Sequence, residues 1–411
     1  MLALLLATPC AVAQTAPREP RLQGAKAAIV METTTRDVLL SRNADERRPI
    51  ASATKLMTVL VALLRTDLDD VFSAADYNAA PAESQIGLQP GERMSVRDLL
   101  RAALLPSAND AAATLAVGTM GSTEAFVAEM NRRAEALGMS NTRFANPVGL
   151  DDEDNYSSAR DLARLAIRLR GFEYFRRTVD LPRGTLRSGA RQRTVINRNR
   201  LVRTIDHVNG VKTGQTSGAG YVLVGSASRD GVSVVSVVLG EPSERARDSD
   251  SLALLRYGLN SYDARTVMPE GRALGRVALR YRGDESVDLI AGETVKRVLR
   301  TGTRTRVTLS GLPEEVDGPL PRGTRLGTAT IRTDDEVLAR VPIVTARPVA
   351  EASLGARLDD MLRRSQTIIA LVALLVCSLP LLLLRRRALA RRRALDAEHR
   401  RARRREESAV P

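Results

Sequence analysis

The chain has 411 residues, 44% of them hydrophobic and 27% charged, which is enough apolar matter for more than one packed core and too much for a disordered chain. Its formal net charge of +14 is unevenly placed: residues 385–411 hold eleven Arg against Asp396, Glu398, Glu406 and Glu407, so half the excess sits in that tail. With no Trp and 3% aromatics the stacking platforms of a single-strand nucleic-acid binder are scarce, which speaks against a nucleic-acid partner, and two His and two Cys are too few for a structural zinc site.

In chain order, residues 1–13 form an apolar run ending in Ala11-Val12-Ala13, which reads as a signal peptide for export, although the usual basic start is missing. From about residue 25 to 260 strands and helices mix. AAIVMET and DVLLS around Thr34-Thr35-Arg36 predict one hairpin, and YVLVGSA with VSVVSVVLG around Asp230-Gly231 predict another. Ser95-x-x-Asp98 and Ser158-x-x-Asp161 read as capping boxes opening apolar-periodic helices, and Gly138 closes the helix carrying Phe126, Met130 and Leu137. After about Arg265 the helical period stops. Short β-prone segments follow, among them RVALRY, VKRVLR, TRVTLS, GTATIR and VLARVPIV, and these predict a compact all-β module. Leu354, Leu358, Met361 and Leu362 recur at helical spacing and suit a surface-lying amphipathic helix. Residues 366–384 carry no charge and are long enough to cross a bilayer; the larger Arg excess on their C-terminal side places 385–411 in the cytoplasm and the body outside. Cys10 and Cys377 both fall in the apolar end segments, so the body needs neither disulfide nor thiol chemistry.

Lys is rare: Lys26, Lys55, Lys212 and Lys296 stand against 58 Arg. Arg cannot lose its proton at workable pH, whereas a desolvated Lys can, so each retained Lys is a candidate for acid-base work. Ser52-Ala53-Thr54-Lys55 opens an apolar helix after Pro49, with Lys55 one turn beyond Ser52; a buried Lys can take the proton of a nearby hydroxyl and make it a nucleophile. By itself the tetrad also fits a helix N-cap with an incidental Lys. Ser107-Ala108-Asn109 follows Pro106 on a tight interhelical loop, suited to relaying a proton and holding a substrate amide, or to a plain Ser/Asx turn. Lys212-Thr213-Gly214 precedes a strong strand and combines a cation and a hydroxyl, fit for a carboxylate, with a Gly that admits close approach. His207 offers an alternative base, but Lys55 already supplies one beside a Ser. The order S-x-x-K, S-x-N, K-T-G carries more than any one of the three.

With these motifs the chain resembles the low-molecular-mass penicillin-binding proteins, specifically the serine D-alanyl-D-alanine carboxypeptidases. The likeness runs through IASATKLMT, GLQPGERMSVRDLL, PSANDAAATLAV, NTRFANPVGL, YSSARDLARLA, NRNRL and VNGVKTGQTSGAGYVLVGSA, and again in GPLPRGTRLGTATIRTDDEVLARVPIVTARPV. The resemblance implies an α/β penicillin-binding-protein/β-lactamase-like transpeptidase fold, an antiparallel sheet with helices, over 23–262. A small all-β sandwich over 265–350, an amphipathic linker at 351–365, the transmembrane helix at 366–384 and a basic cytoplasmic tail at 385–411 would follow. It implies Ser52 as acylated nucleophile, Lys55 as its base, Ser107 as proton relay, Asn109 as a peptide ligand, and Lys212 with Thr213 and Gly214 at the terminal carboxylate. The oxyanion would rest on the main-chain N–H of Ser52 and Gln215, where Gln215 replaces the His or aromatic side chain often found in the family. Arg198 is the carboxylate-binding arginine it suggests; Arg247 fits either function or pairing with Asp248 and Asp250. No cofactor or metal is expected. The expected partners are peptidoglycan stem peptides, β-lactams and the membrane. A β-lactamase would need a deacylating Glu, commonly in E-x-x-L-N, and 110–211 holds none; a DD-endopeptidase would share the nucleophile, and an envelope scaffold would not need it.

Overall fold

The computed structural model of the chain describes residues 17–363 and 365–407 and divides them into two units, the first reaching Arg265 and taking back Arg297–Thr303, the second holding the rest. The signal-peptide reading of residues 1–13 lies outside the described residues.

The first unit is built on five antiparallel strands: β1 (Ala27–Glu32), β2 (Val38–Arg42), β3 (Val208–Thr216), β4 (Gly220–Arg229) and β5 (Val232–Glu241), in the order β2-β1-β5-β4-β3. Both expected hairpins form. The β4–β5 turn places Asp230 and Gly231 at φ +50° and +81°, the left-handed pair that a two-residue hairpin requires. Because successive side chains alternate, one sheet face carries Ile29, Val222, Val224, Val235 and Val237, and the other Val30, Leu223, Val234 and Val238. The second face is covered by Leu254, Leu255 and Leu259 of a C-terminal helix, Glu244–Asn260.

The first face packs on α5 (Ala159–Leu169) and on the turn just before α1 (Lys55–Arg65), and α1 with α2 (Val96–Leu104), α3 (Asn109–Met120) and α4 (Thr123–Ala136) continues the same core. α5 buries Leu162, Leu165, Ala166 and Leu169, an amphipathic stripe, whereas every residue of α1 from Lys55 to Ala62 is buried. Both expected caps form: Ser95 Oγ accepts from Asp98 N at 3.3 Å and Ser158 Oγ from Asp161 N at 3.2 Å. The two acids do not close the reciprocal half of the box. Asp98 accepts from Arg187 N and Ser188 N, and Asp161 from Asn141 N, so each ties its helix start to a distant segment. Gly138, at φ +66°, ends α4 as the sequence suggested.

The second unit contains a six-stranded sheet over 273–345 with buried residues at every second position, as in Val287, Leu289 and Ala291, or Ala329 and Ile331. Of the segments read as one β-module, VKRVLR differs: its residues from Arg297 belong to the first unit, where Thr301 N donates to Ser261 O at 2.9 Å. Helix Leu354–Arg363 exposes Leu354, Leu358, Met361 and Leu362. Helix Ser365–Glu407 follows, and its stretch from Ile368 is long and apolar enough to cross a membrane.

Candidate active site

Ser52 lies one step earlier than the helical reading expected, in a 3-10 turn, Ala51–Thr54, that runs into α1 at Lys55. A 3-10 turn has three residues per turn and so eclipses positions three apart, which brings Lys55 Nζ to 3.1 Å from Ser52 Oγ. The turn is seated by close backbone approaches. A Cβ on Gly149 would stand 2.2 Å from Ala51 O, and one on Gly214 would stand 3.1 Å from both Ile50 O and Ser52 N.

Lys55 is fully buried. Its Nζ also donates to Asn109 Oδ1 at 2.5 Å and to the Val148 carbonyl. Desolvation pulls its pKa from 10.5 to about 7, against the charges of Glu83 and Asp110 and helped by that of Arg198. Near neutrality the amine therefore loses its proton readily. The Val148 carbonyl is held in place because Asn146 Oδ1 accepts from the backbone N–H of Val148, Gly149 and Leu150, and Thr58 Oγ1 donates to Pro147 O at 2.6 Å.

In the second motif Pro106 ends the run of α2, Ser107 takes φ +67°, and Asn109 begins α3. Asn109 N donates to Ser84 O at 2.6 Å, and the Asp110 carboxylate accepts from Ile86, Gly87 and Leu88 N between 2.9 and 3.2 Å. The start of α3 thus pins the preceding loop and brings Glu83 to the site, where Asn109 Nδ2 donates to its Oε2 at 2.6 Å.

The third motif lies on the sheet-edge strand β3. Lys212, 1% exposed, donates from Nζ to Ser107 Oγ and to Thr213 O, each at 2.8 Å. Burial first, then the like charges of Lys55, Arg198 and Arg247, hold its pKa well below the usual lysine value. Asp151 ties the end of β3 down, accepting from Thr216 Oγ1 at 2.5 Å and Gly218 N at 3.0 Å.

Ser52, Ser107, Asn109, Thr213, Gly214, Gln215 and Arg198 line one cleft of about 1260 Å³, with Lys55 and Lys212 buried beside it, so the three motifs meet in space. Arg198 is exposed in the cleft wall and, among the described residues, has no ion-pair partner. Arg247 also reaches the cleft, but its guanidinium pairs with Glu244 at 2.9 Å and Asp248 at 2.8 Å and stacks 6.0 Å from the Tyr221 ring centre. Asp250, the other acid considered for it, accepts from Gln23 N and Gly24 N instead. His207 is not among the cleft-lining residues; burial, with Arg229 and Arg256, holds its pKa down. Glu83 and the Val148 carbonyl carry no motif: Glu83 lies 24 residues before Ser107, with Glu92 and Asp98 in between, and every residue has a carbonyl.

The arrangement offers a hydroxyl beside a neutralisable amine, a second hydroxyl beside a second lysine, and a free guanidinium for an anion. A family model described as D-alanyl-D-alanine carboxypeptidase matches residues 13–243, and one described as penicillin-binding protein 5, C-terminal domain, matches residues 262–351. The chain is 30% identical over 336 residues to the D-alanyl-D-alanine carboxypeptidase DacF of Bacillus subtilis, covering 80% of this chain and 86% of that one. It is 33% identical over 380 residues to DacC of Escherichia coli, covering 87% and 92%. Among solved structures it is similar to penicillin binding protein 5 from Haemophilus influenzae, with a TM-score of 0.60 at 28% identity over 82% of this chain and 100% of that one.

Proposed function

The chain belongs to the D-alanyl-D-alanine carboxypeptidase family and is such a carboxypeptidase, and from that premise we propose that it removes the terminal D-Ala of peptidoglycan pentapeptide stems through an acyl-enzyme on Ser52. The observation that carries the assignment is the buried Lys55 amine, 3.1 Å from Ser52 Oγ with a pKa lowered to about 7. Lys55 takes the Ser52 proton as Oγ bonds to the penultimate D-Ala carbonyl carbon, and the oxyanion rests on the N–H groups of Ser52 and Gln215. The peptide C–N bond then breaks, with Ser107, hydrogen-bonded to Lys212, passing a proton to the leaving amine. Water hydrolyses the ester and restores Ser52. Arg198 and Thr213, on the cleft wall, together with Lys212, hold the substrate's terminal carboxylate, and Asn109 holds its amide.

A β-lactam fits the same cleft and leaves its opened ring on Ser52. Intact-protein mass spectrometry of the full chain in detergent, after incubation with benzylpenicillin, gives one lasting adduct, and Ser52→Ala gives none. D-Ala release from a pentapeptide is lost with the same substitution. Rapid penicillin hydrolysis without an adduct would make the protein a lactamase, and neither adduct nor hydrolysis from a folded sample would favour a scaffold.

For location, residues 366–384 are read as the span, with the catalytic unit outside and the arginine-rich tail in the cytoplasm, and with residues 1–13 as the export signal. The exposed Leu354, Leu358, Met361 and Leu362 suit a helix lying at the lipid interface just before the span. A reporter active only in the cytoplasm, fused after Pro411, is active if this topology holds and silent if it is reversed.

A further inference from the structure

Glu83 has no part in the steps above, yet it is one side chain away from the base. Its Oε2 accepts from Asn109 Nδ2 at 2.6 Å and from the Tyr77 hydroxyl, and its Oε1 accepts from Ala80 N at 3.0 Å. Burial would raise its pKa, but these hydrogen bonds outweigh burial and hold it low, so at neutral pH it is a carboxylate that can only accept. The loop carrying it is fixed by Ser84 O on Asn109 N and by Asp110 on three backbone amides.

An Asn amide can turn over, exchanging its oxygen and nitrogen with little change of shape. Turned over, Asn109 would point an N–H at Lys55. A neutral Lys amine has two N–H bonds and one lone pair. Asn109 Oδ1 and the Val148 carbonyl take the two N–H bonds, which leaves the lone pair for the Ser52 hydroxyl at 3.1 Å. With the amide reversed, Lys55 would lose an acceptor, and its lone pair would be drawn to the Asn109 N–H. A carboxylate on the far side prevents the reversal.

We propose that Glu83 is a positioning residue for acylation: by holding the Asn109 amide in one orientation, it aims the Lys55 lone pair at the Ser52 hydroxyl. The inference rests on Ser52 and Lys55 being nucleophile and base. The step itself is unchanged: the Ser52 proton passes to Nζ as Oγ bonds to the carbonyl carbon. The Glu83 charge has a second effect. Glu83 faces Lys55 from its loop and Asp110 from α3, both favouring the ammonium, while Arg198 and, on β3, Lys212 oppose it. Removing the Glu83 charge therefore lowers the Lys55 pKa.

The test uses the full chain in detergent and measures benzylpenicillin acylation from pH 5 to 9, resolved into the saturation constant and the limiting acylation rate. In Glu83→Ala the limiting rate falls by about 10- to 100-fold, within what a misdirected general base loses, and the saturation constant stays within about threefold. In Glu83→Gln, which keeps an acceptor oxygen and loses the charge, the limiting rate recovers most of that loss and the acid limb moves to lower pH. A wild-type limiting rate in Glu83→Ala overturns the proposal wherever the acid limb lies, as does a loss confined to the saturation constant. If Glu83→Ala does not fold, Glu83→Met, similar in length and without an acceptor for Asn109, takes its place, and a wild-type limiting rate there overturns the proposal. An adduct that persists in Ser52→Ala overturns the nucleophile assignment instead, and separates that failure from this one.

Discussion

Among the places where the first unit buries charge, two treat it in opposite ways. Glu129 on α4 is 1% exposed and meets three guanidiniums: Arg65 at 2.8 Å, Arg132 at 2.5 Å and Arg133 at 2.8 Å. Burial would raise its pKa, but the three arginines reverse that and hold it at about 2, so the charge is kept at every ordinary pH. Lys55 and Lys212 are as deeply buried, yet the oxygens they touch are neutral: an amide, two hydroxyls and two backbone carbonyls. Neutral acceptors satisfy N–H bonds without fixing a proton. A compensated buried charge holds structure, whereas an uncompensated one is available for proton transfer.

The largest expected effect comes from removing the uncompensated charge. Lys55→Met lowers penicillin acylation by about 10²–10⁴-fold and, because no desolvated ammonium remains, raises stability by about 1–3 kcal/mol in calorimetry. The folded Lys55 pKa, about 7, lies below its ordinary 10.5. The gain is therefore largest below about pH 7 and shrinks as pH rises toward 10.5. A loss of stability instead would erase the contrast. Next is pH. Acylation by the wild type falls as pH drops through about 7, where Lys55 takes up a proton. The stability supplied by Glu129 is complete above its ordinary 4.5 and is lost as pH falls toward 2, and the Arg193-paired Glu92 behaves likewise. Around pH 5 the protein is thus folded by circular dichroism but acylates slowly; coincident loss of fold and rate would remove the distinction. Gly149→Ala sharpens the role of the seat beneath Ser52: it strains a residue at φ +87° and pushes against Ala51 O, lowering acylation about tenfold and stability by about 1–3 kcal/mol. The smallest effect on rate is that of Glu129→Gln, which costs about 1–3 kcal/mol in urea unfolding while acylation stays within about twofold.

The parts of the site that the sequence made legible are those written in side chains at short spacing. S-x-x-K, S-x-N and K-T-G could be picked out because a hydroxyl beside a lysine has chemical meaning before any fold is known. Hairpins and caps were legible for a similar reason, since Asp230-Gly231 and the serines at 95 and 158 act within a few residues. What was hidden acts over distance. Every residue has a carbonyl, so nothing marked Val148 as the one facing Lys55, and the Asn109–Glu83 bond joins a motif to a loop without periodicity. Gly149 and Gly214 were visible as glycines, but the turn they make room for was not. The surroundings of Arg247 were likewise hidden, because Asp248 and Asp250, two residues apart, face different neighbours: the first pairs with Arg247 and the second accepts from Gln23 N and Gly24 N.

The helix Ser365–Glu407 has a consequence that is a matter of length. At 1.5 Å per residue its 43 residues extend roughly 65 Å, about twice the thickness of a bilayer's hydrocarbon core. The uncharged 366–384 stretch accounts for roughly 28 Å, leaving a helical rod of roughly 35 Å that carries eleven arginines. Salt in a cell screens charge within about 8 Å, so such a rod standing upright would offer only its base to anionic headgroups. Tilted onto the surface, it would offer most of its length. With 366–384 placed across a bilayer as proposed, the angle at which the rod leaves it, and not its charge alone, would set how strongly the rod is attracted there and how steeply salt weakens the attraction.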